Sequence, residues 1–253
     1  MEMLMDKIIT QIAIDGVDGS GKTYQIGRLV ERISQEFGVK ASVVKCPIAS
    51  GVGGIIRRLL LEQPIASVTR TGNGHLEIME DGPRNFDIIN NELVINRPER
   101  ISSRWIFLGE ALHTYLTEIK PRLWNGELVI LDRSHFTSNI AYGVGLGLEL
   151  EETLRVAQIQ EEYMLQPNLC IVLTIPYEES VRRLQRRGSG GGEINHFDGA
   201  GPDVFEKRLQ GFRSAQVRWK WVQHIDANAA KPVVHERIWE CVLPKLLAAG
   251  YEK

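Results

Sequence analysis

The sequence lacks the cysteine pattern of a disulfide-linked or zinc-binding protein. Its three cysteines are odd in number and widely separated, at Cys46, Cys170 and Cys241. No two of them have the C-x-x-C spacing of a zinc or redox site, and their number does not indicate a disulfide framework. The chemistry of this chain must therefore come from other residue types.

The chain also lacks a long apolar run and an excess of charge of either sign. No apolar stretch approaches the roughly 20 residues that cross a membrane, so we expect no membrane anchor, no leader peptide and a cytoplasmic location. The 30 basic and 32 acidic residues give a formal net charge of −2, which argues against a nucleic-acid polymer as the partner. With 253 residues, 43% of them apolar, the chain fits one globular domain.

What the sequence does contain is a glycine-rich loop between an apolar run and a helical pattern. Residues 16–23 have the form G-x-x-x-x-G-K-T; they follow the apolar run 8–15 and precede apolar residues at helical spacing. The glycines leave backbone N–H groups open to a phosphate chain, and the positive end of the following helix points to the same place. Lys22 is expected to reach the terminal phosphates of a nucleoside triphosphate, and Thr23 to hold the accompanying Mg²⁺. The candidate triphosphate-binding residues are Gly16, Gly19, Ser20, Gly21, Lys22 and Thr23.

Four more apolar runs suit buried parallel strands, at residues 41–45, 127–132, 169–175 and 221–225. Strands that alternate with helices predict a three-layer α/β/α domain around a five-stranded parallel sheet, a fold of the P-loop nucleoside triphosphate hydrolase type. We assign residues 1–253 to this single domain, with an insertion at 62–97 that is interpreted as a hairpin or irregular flap. The glycine-spaced residues 134–147 are predicted to be a polar loop.

Charged residues follow two of the predicted strands. Asp132 and Arg133 come at the end of the run 127–132. Beside a phosphate-binding loop, such an aspartate can hold magnesium or its waters, and such an arginine can clamp a phosphoryl group. After the run 169–175, a helical pattern carries four arginines and leads into a glycine run, so we interpret residues 186–201 as a hinged lid over the transferring phosphate. These arginines are Arg182, Arg183, Arg186 and Arg187.

Several separated segments together resemble the thymidylate kinase family of nucleoside monophosphate kinases. The resemblance covers nearly all of the chain except residues 62–97, and the ordered set is far more specific than the glycine loop alone. Its segments are Ile14–Thr23 with its acidic residues Asp15 and Asp18, Phe107, Ile119-Lys120-Pro121 to Asp132-Arg133, Ser138-Asn139-Ile140-Ala141-Tyr142, Pro167-Asn168-Leu169 to Gly188, Phe205-Glu206-Lys207-Arg208 and Ile225-Asp226-Ala227.

The resemblance implies transfer of the γ-phosphoryl group of ATP, with Mg²⁺, to a deoxynucleoside monophosphate, with dTMP as the leading candidate. Phe107 would stack on the pyrimidine, and Tyr142 would lie near the sugar. The implied catalytic residues are Lys22, Asp18, Arg133, Arg183 and Arg187. The implied substrate-binding residues are Asp18, Lys45, Arg57, Phe107, Arg133, Ser138 and Tyr142. Asp226 and Asn228 would lie by the adenine, and Thr23 and Asp132 would serve the metal.

Two departures from the family pattern concern the acceptor base. Four residues after Phe107 the family usually has an arginine that reads the thymine edge, and this chain has Ala111. Gly143 stands where a glutamine is common. Neither change touches the residues expected to bind phosphate, so the phosphate chemistry is expected to remain while the identity of the base stays open.

Other functions remain compatible with the sequence. A kinase acting on a deoxynucleoside or another small acceptor would use the same loop, with Asp15 or Asp18 as the base for a hydroxyl group. A nucleotide-binding protein that has lost transfer is a third reading. The resemblance also implies a homodimer through an apolar helix face formed by Trp105, Leu108 and Tyr115.

Overall fold

The glycine loop lies at the carboxyl end of the central strand of a parallel sheet. The structure is a computed structural model that describes residues 10–46, 66–67, 86–89, 92–95, 100–189 and 201–252. In chain order the strands are β1 (Thr10–Gly16), β2 (Ser42–Lys45), β3 (Ala66–Ser67), β4 (Phe86–Ile89), β5 (Glu92–Ile95), β6 (Leu128–Asp132), β7 (Leu169–Thr174) and β8 (Val222–Asp226). Five of them form the parallel sheet, in the order β2-β6-β1-β7-β8, which confirms the predicted fold class and all five predicted strands.

The described residues also form eight α-helices. They are α1 (Lys22–Phe37), α2 (Arg100–Thr114), α3 (Lys120–Trp124), α4 (His135–Gly145), α5 (Leu150–Tyr163), α6 (Tyr177–Ser189), α7 (Pro202–Arg218) and α8 (Lys231–Ala248). A π-helical segment, Tyr115–Ile119, joins α2 to α3. None of the described helices is both long and apolar enough to cross a membrane.

The central strand β1 is buried along its full length. Its residues Ile12, Ala13 and Ile14 have no exposed surface, which explains why the strand is an apolar run rather than an alternating one. In the register of the sheet, Ile14 of β1 lies opposite Asp132 of β6. The loop that follows β1 and the Asp132-Arg133 pair therefore lie at the same edge of the sheet, where ligands bind in open α/β folds.

The predicted insertion at 62–97 contains a second, antiparallel sheet with the strand order β3-β5-β4. Strands β4 and β5 pair directly, as expected for a hairpin. Residues 47–65, including Arg57, and residues 190–200 of the predicted lid lie outside the described residues. The assignment of the whole chain to a single domain stays a prediction.

The prediction of a loop at 134–147 was wrong, because His135–Gly145 form helix α4. The Ser134 side chain accepts a hydrogen bond from the Thr137 backbone N–H and caps the helix. Phe136 and Ile140 bury their side chains in the core. Glycine spacing suggested a loop here, but tertiary packing overrides that local preference.

Close contact between α4 and α7 depends on a glycine. A Cβ atom at Gly211 of α7 would lie 2.6 Å from the Cα of Ala141 in α4, so the two backbones approach more closely than any larger residue permits. A Cβ atom at Gly27, on the exposed side of α1, would meet no other atom within 4 Å.

These two helical glycines make a matched test of the packing. Gly211→Ala should lower the free energy of unfolding by about 1–3 kcal/mol, because the added methyl group forces α4 and α7 apart. Gly27→Ala should raise it by roughly 0.5–1 kcal/mol, because alanine favours the helix and meets nothing. Urea unfolding measures both, and equal responses at the two sites would contradict the packing argument.

Candidate active site

The glycine loop has the backbone geometry of a phosphate cradle. Gly16, Gly19 and Gly21 have φ angles of 130°, 77° and 93°, which is a region that favours glycine. A Cβ atom at Gly16 would lie 2.1 Å from the backbone oxygen of Leu173 in β7. Glycine is therefore needed at position 16 both for the turn and for the close contact between β1 and β7.

Lys22 is buried beneath this loop and braces it. Its Nζ donates hydrogen bonds to the backbone oxygens of Gly16, at 2.9 Å, and Val17, at 2.8 Å. Burial, together with repulsion from Arg133, lowers the pKa of Lys22 to about 8. Asp18, Asp15 and Asp132 offset part of this effect, and a bound phosphate would stabilise the charged form of Lys22 further. The next residue, Thr23, is exposed in the first turn of α1.

Asp15 is the buried carboxylate that joins β1 to α4. One oxygen accepts from the Gly16 backbone N–H at 2.8 Å. The other accepts from the hydroxyl groups of Thr137, at 2.5 Å, and Ser138, at 2.9 Å, and from the Ser134 N–H at 3.3 Å. Asp15 therefore holds the start of the loop and the start of α4 in one arrangement, and Ser138, expected to contact substrate, bonds to it.

Arg133 sits in a conformation that is unusual for its residue type. Its φ is 77°, a left-handed conformation that non-glycine residues adopt at a cost and that concentrates at functional sites. The guanidinium donates to Asp18 Oδ1 and to the Tyr142 hydroxyl, both at 2.8 Å. The structure therefore brings together Arg133, Asp18 and Tyr142, all three of which were predicted to belong to the site.

Arg208 of α7 completes this cluster, and it was missing from the predicted site residues. Its Nη1 donates to Asp18 Oδ2 at 3.2 Å, and its guanidinium lies 4.8 Å from the centre of the Tyr142 ring. Burial alone would raise the pKa of Asp18, but the positive charges of Arg133, Lys22 and Arg208 hold it below its ordinary value. Position 208 falls between Phe205 and Leu209 on the buried face of a helix, and an arginine on such a face was a signal that could have identified it.

Arg183 connects the loop to the predicted adenine region. It donates to the backbone oxygens of Gly19, at 3.3 Å, and Ala227, at 3.1 Å, and pairs with Glu179. Arg183 is thus held against the loop by the protein itself. Asp226 and Asn228 flank Ala227, and Asp226 Oδ1 accepts from the Asn228 backbone N–H at 2.8 Å.

The remaining predicted residues differ in burial and in position in the fold. Asp132 is half-buried at the end of β6, and Lys45, exposed at the end of β2, lies opposite it in the sheet register. Phe107 is half-buried on α2, and Arg187 is exposed near the end of α6. Arg57 lies outside the described residues, and its contact with substrate stays a prediction.

A parallel α/β sheet whose first strand leads through a Gly-Lys-Thr loop into a helix defines a P-loop nucleotide-binding protein. The family model described as thymidylate kinase matches residues 94–238, more than half of the chain. The chain belongs to the thymidylate kinase family.

Relatives and a solved structure agree with this assignment. A probable thymidylate kinase from Pyrococcus abyssi is 28% identical over 236 residues, which are 93% of this chain and 97% of the relative. A probable thymidylate kinase from Thermococcus onnurineus is 30% identical over 176 residues, 70% of this chain and 71% of the relative. The crystal structure of thymidylate kinase from Ehrlichia chaffeensis has the same fold, with a TM-score of 0.59 at 16% identity, covering 92% of this chain and 98% of that one.

The shared carboxylate of Asp18 leads to a stability prediction. Asp18→Asn should lower the free energy of unfolding by about 3 kcal/mol at neutral pH, because the Arg133 and Arg208 guanidiniums would face each other without the charge between them. Urea unfolding measures this. The control is Glu206→Gln, which breaks an exposed ion pair with Arg213 and should change stability by no more than about 0.5 kcal/mol.

The same comparison has a pH dependence. Since the pKa of Asp18 in the folded protein is below the ordinary value of 3.8, its stabilising effect is fully present above about pH 4 and is lost as the pH falls through the folded value. The stability difference between wild type and Asp18→Asn should therefore narrow on acidification. A stability difference that stays constant down to the lowest pH at which both proteins remain folded would contradict an ionised Asp18 in the cluster.

Proposed function

We propose that the protein is a thymidylate kinase that transfers the γ-phosphoryl group of ATP to dTMP, giving dTDP and ADP. The observation that carries this is the meeting of Lys22 and Arg133 at one edge of the sheet, near enough for Arg133 to affect the pKa of Lys22. Two anionic substrates need such paired cationic groups, one from each side of the transferring phosphate. The names of the relatives support the acceptor.

In this mechanism the acceptor phosphate attacks directly, so no side chain has to remove a proton. Lys22 would neutralise charge on the ATP phosphates, and Arg133 would hold the acceptor phosphate. Asp18 and Tyr142 orient the Arg133 guanidinium through their hydrogen bonds. Catalysis then consists of positioning and charge neutralisation, which suits phosphoryl transfer.

The residues present also fit Mg²⁺. Among the described residues, no group of three or more His, Cys, Asp or Glu side chains could hold a metal ion. Magnesium in kinases is commonly held by one or two carboxylates together with substrate phosphates and water, and Thr23 with Asp132 supplies such a small donor set. When bound, the ion would neutralise charge on the phosphates.

Two arginines of α6, Arg183 and Arg187, would have different roles. Arg183 is bound to Glu179 and to backbone oxygens on both sides, which supports a positioning role for it between the loop and the adenine region. Arg187, about one turn further along α6, is our candidate for approaching the transferring phosphate.

A nucleoside acceptor fits the site less well. Its 5′-hydroxyl would need a carboxylate base, and the candidates were Asp15 and Asp18. Asp15 accepts hydrogen bonds from four groups, and Asp18 is shared by two arginines that hold its pKa low. The oxygens of Asp15 are thus committed to structural hydrogen bonds, and the lowered pKa makes Asp18 a weak base, which together favour a monophosphate acceptor.

We further propose a cytoplasmic homodimer. The three cysteines are free, as is usual in a reducing compartment. Trp105 and Leu116 expose 52% and 47% of their surface and support contact with a second subunit, whereas Tyr115, which was expected on that face, is buried in this chain's own core.

Activity provides the first test of this function. The purified protein should convert ATP and dTMP to ADP and dTDP, and Lys22→Ala should reduce kcat at least about a hundredfold, since a charge-stabilising group is removed. Chromatographic identification of products from a panel of nucleosides and monophosphates measures this. Phosphorylation of nucleosides alone, or near-normal turnover by Lys22→Ala, would overturn the proposal.

The low pKa of Lys22 gives a second, independent test. At pH 8 about half of the free protein carries an uncharged Lys22, because its pKa is about 8; bound ATP should raise that pKa and cause proton uptake of up to about half a proton. Calorimetric titration with ATP in buffers of different ionisation enthalpy measures it. Lys22→Arg, which stays charged, should abolish the uptake, and equal uptake by both proteins would contradict the role of Lys22.

A further inference from the structure

The backbone oxygens of residues 16–19, in the glycine loop, all accept hydrogen bonds from side chains. Lys22 donates to the first two of these oxygens. The other two face helix α6: the Ser180 hydroxyl donates to the Asp18 oxygen at 2.6 Å, and Arg183 Nη1 donates to the oxygen of residue 19 at 3.3 Å. A carbonyl oxygen turned toward a phosphate would repel it, and here each of these oxygens is held by a donor of the protein itself.

Ser180 makes a hydrogen bond that is unusual for a serine within a helix. Such a hydroxyl commonly donates to the backbone oxygen four residues earlier in its own helix. Ser189 and Ser214 do so, each at 3.0 Å. The Ser180 hydroxyl is buried and instead reaches the glycine loop, 162 positions away in the chain. It therefore serves the loop rather than its own helix, and the proposed chemistry has so far given it no role.

Helix α6 lies directly against the loop at this point. A Cβ atom on Gly19 would lie 3.1 Å from the backbone oxygen of Ser180 and 3.3 Å from its Cα atom. Any larger side chain at position 19 would therefore press on the backbone of α6. The absence of a side chain at Gly19 lets the helix and the loop approach closely enough for the Ser180 hydroxyl to reach the Asp18 oxygen.

The Asp18 oxygen and the Gly19 N–H belong to the same peptide group. A peptide group is planar and almost always trans, so its C=O and N–H bonds point in opposite directions. With the oxygen bonded to Ser180, the Gly19 N–H points away from α6. In the part of the chain that the structure describes, no backbone oxygen accepts a hydrogen bond from this N–H. It is therefore available to an oxygen of a bound phosphate chain, as in other anion-binding loops.

We propose that Ser180 is a positioning residue for the donor nucleotide: its hydroxyl fixes the peptide group between Asp18 and Gly19 so that the Gly19 N–H faces the phosphates of ATP. This inference rests on the proposed function, because it takes the ligand of the loop to be ATP. A peptide group that is fixed before binding does not have to be ordered during it, which raises the affinity. The acceptor side is held separately, because Arg133 and Arg208 bind the Asp18 carboxylate.

The test measures ATP binding and turnover for Ser180→Ala, which removes the hydroxyl. We expect the affinity for ATP, measured by calorimetry, to fall about 3–10-fold, because one buried hydrogen bond is lost. The value of kcat/KM for ATP should fall by the same factor, while the KM for dTMP changes by less than about twofold. Ser214→Ala also removes a hydroxyl that donates to a backbone oxygen, but away from the loop, and should alter neither substrate.

A second variant separates the hydrogen bond from the packing. Ser180→Cys keeps an atom in the place of the hydroxyl oxygen, but a thiol is a weak donor, so ATP affinity should fall as it does in Ser180→Ala. Affinity equal to that of the wild type in Ser180→Cys would show that filled space matters and not the hydrogen bond, and would overturn the proposal. Circular dichroism and the thermal midpoint establish that each variant is folded; should Ser180→Ala fail to fold, Ser180→Cys carries the test.

Equal losses for ATP and dTMP would also overturn the proposal, because a general loosening of the fold affects both substrates alike. Unchanged ATP affinity in Ser180→Ala would do the same. Failure of the proposed function is a separate result: the wild-type protein would then bind ATP but phosphorylate no monophosphate. In that case calorimetric binding of ATP to wild type and Ser180→Ala still decides whether Ser180 positions the loop, and a wild-type protein that binds no ATP would overturn both.

Discussion

The carboxylate of Asp18 holds together the cationic side chains of the site. Arg133 and Arg208 approach it from two different parts of the chain, and Lys22 is near enough to lower its pKa. Without that negative charge the cations would repel one another in a buried volume, where such repulsion is weakly screened. Asp15, 3.9 Å from Arg133, and Asp132, which acts on Lys22, add negative charge near the same cations, so the cations are already held in place when the anionic substrates of phosphoryl transfer bind.

The positions of these charges depend on close backbone contacts. Gly16 lets β1 pass against the Leu173 carbonyl, and Gly211 lets α7 approach α4 near enough for Arg208 to reach Asp18. Asp15 then ties the glycine loop to the start of α4. Packing and electrostatics are therefore coupled here: the small residues fix the distances, and the distances fix the pKa values on which the proposed chemistry depends.

Sequence reasoning succeeded where a local pattern has a single physical meaning, and it failed where a pattern has two. The apolar runs predicted the five strands of the parallel sheet, and the glycine pattern before Lys22 predicted the tight turn between β1 and α1. Glycines at 143 and 145, by contrast, suit both a loop and a tightly packed helix, and in this protein they belong to the packed helix α4. The spacing of Phe205 and Leu209 placed Arg208 on a buried face, but nothing local showed that its charge would be shared with Asp18.

The amino-acid sequence by itself determined the five strands of the parallel sheet, the glycine loop after β1 and the adjacent Asp132 and Arg133 at the end of β6, because each depends on neighbours in the chain. Only the tertiary structure decided that Arg208 shares Asp18 with Arg133 and that Arg183 is bound to the loop. Those contacts join residues as many as 190 positions apart in the chain, and burial, which sets their strength, exists only once the helices have packed.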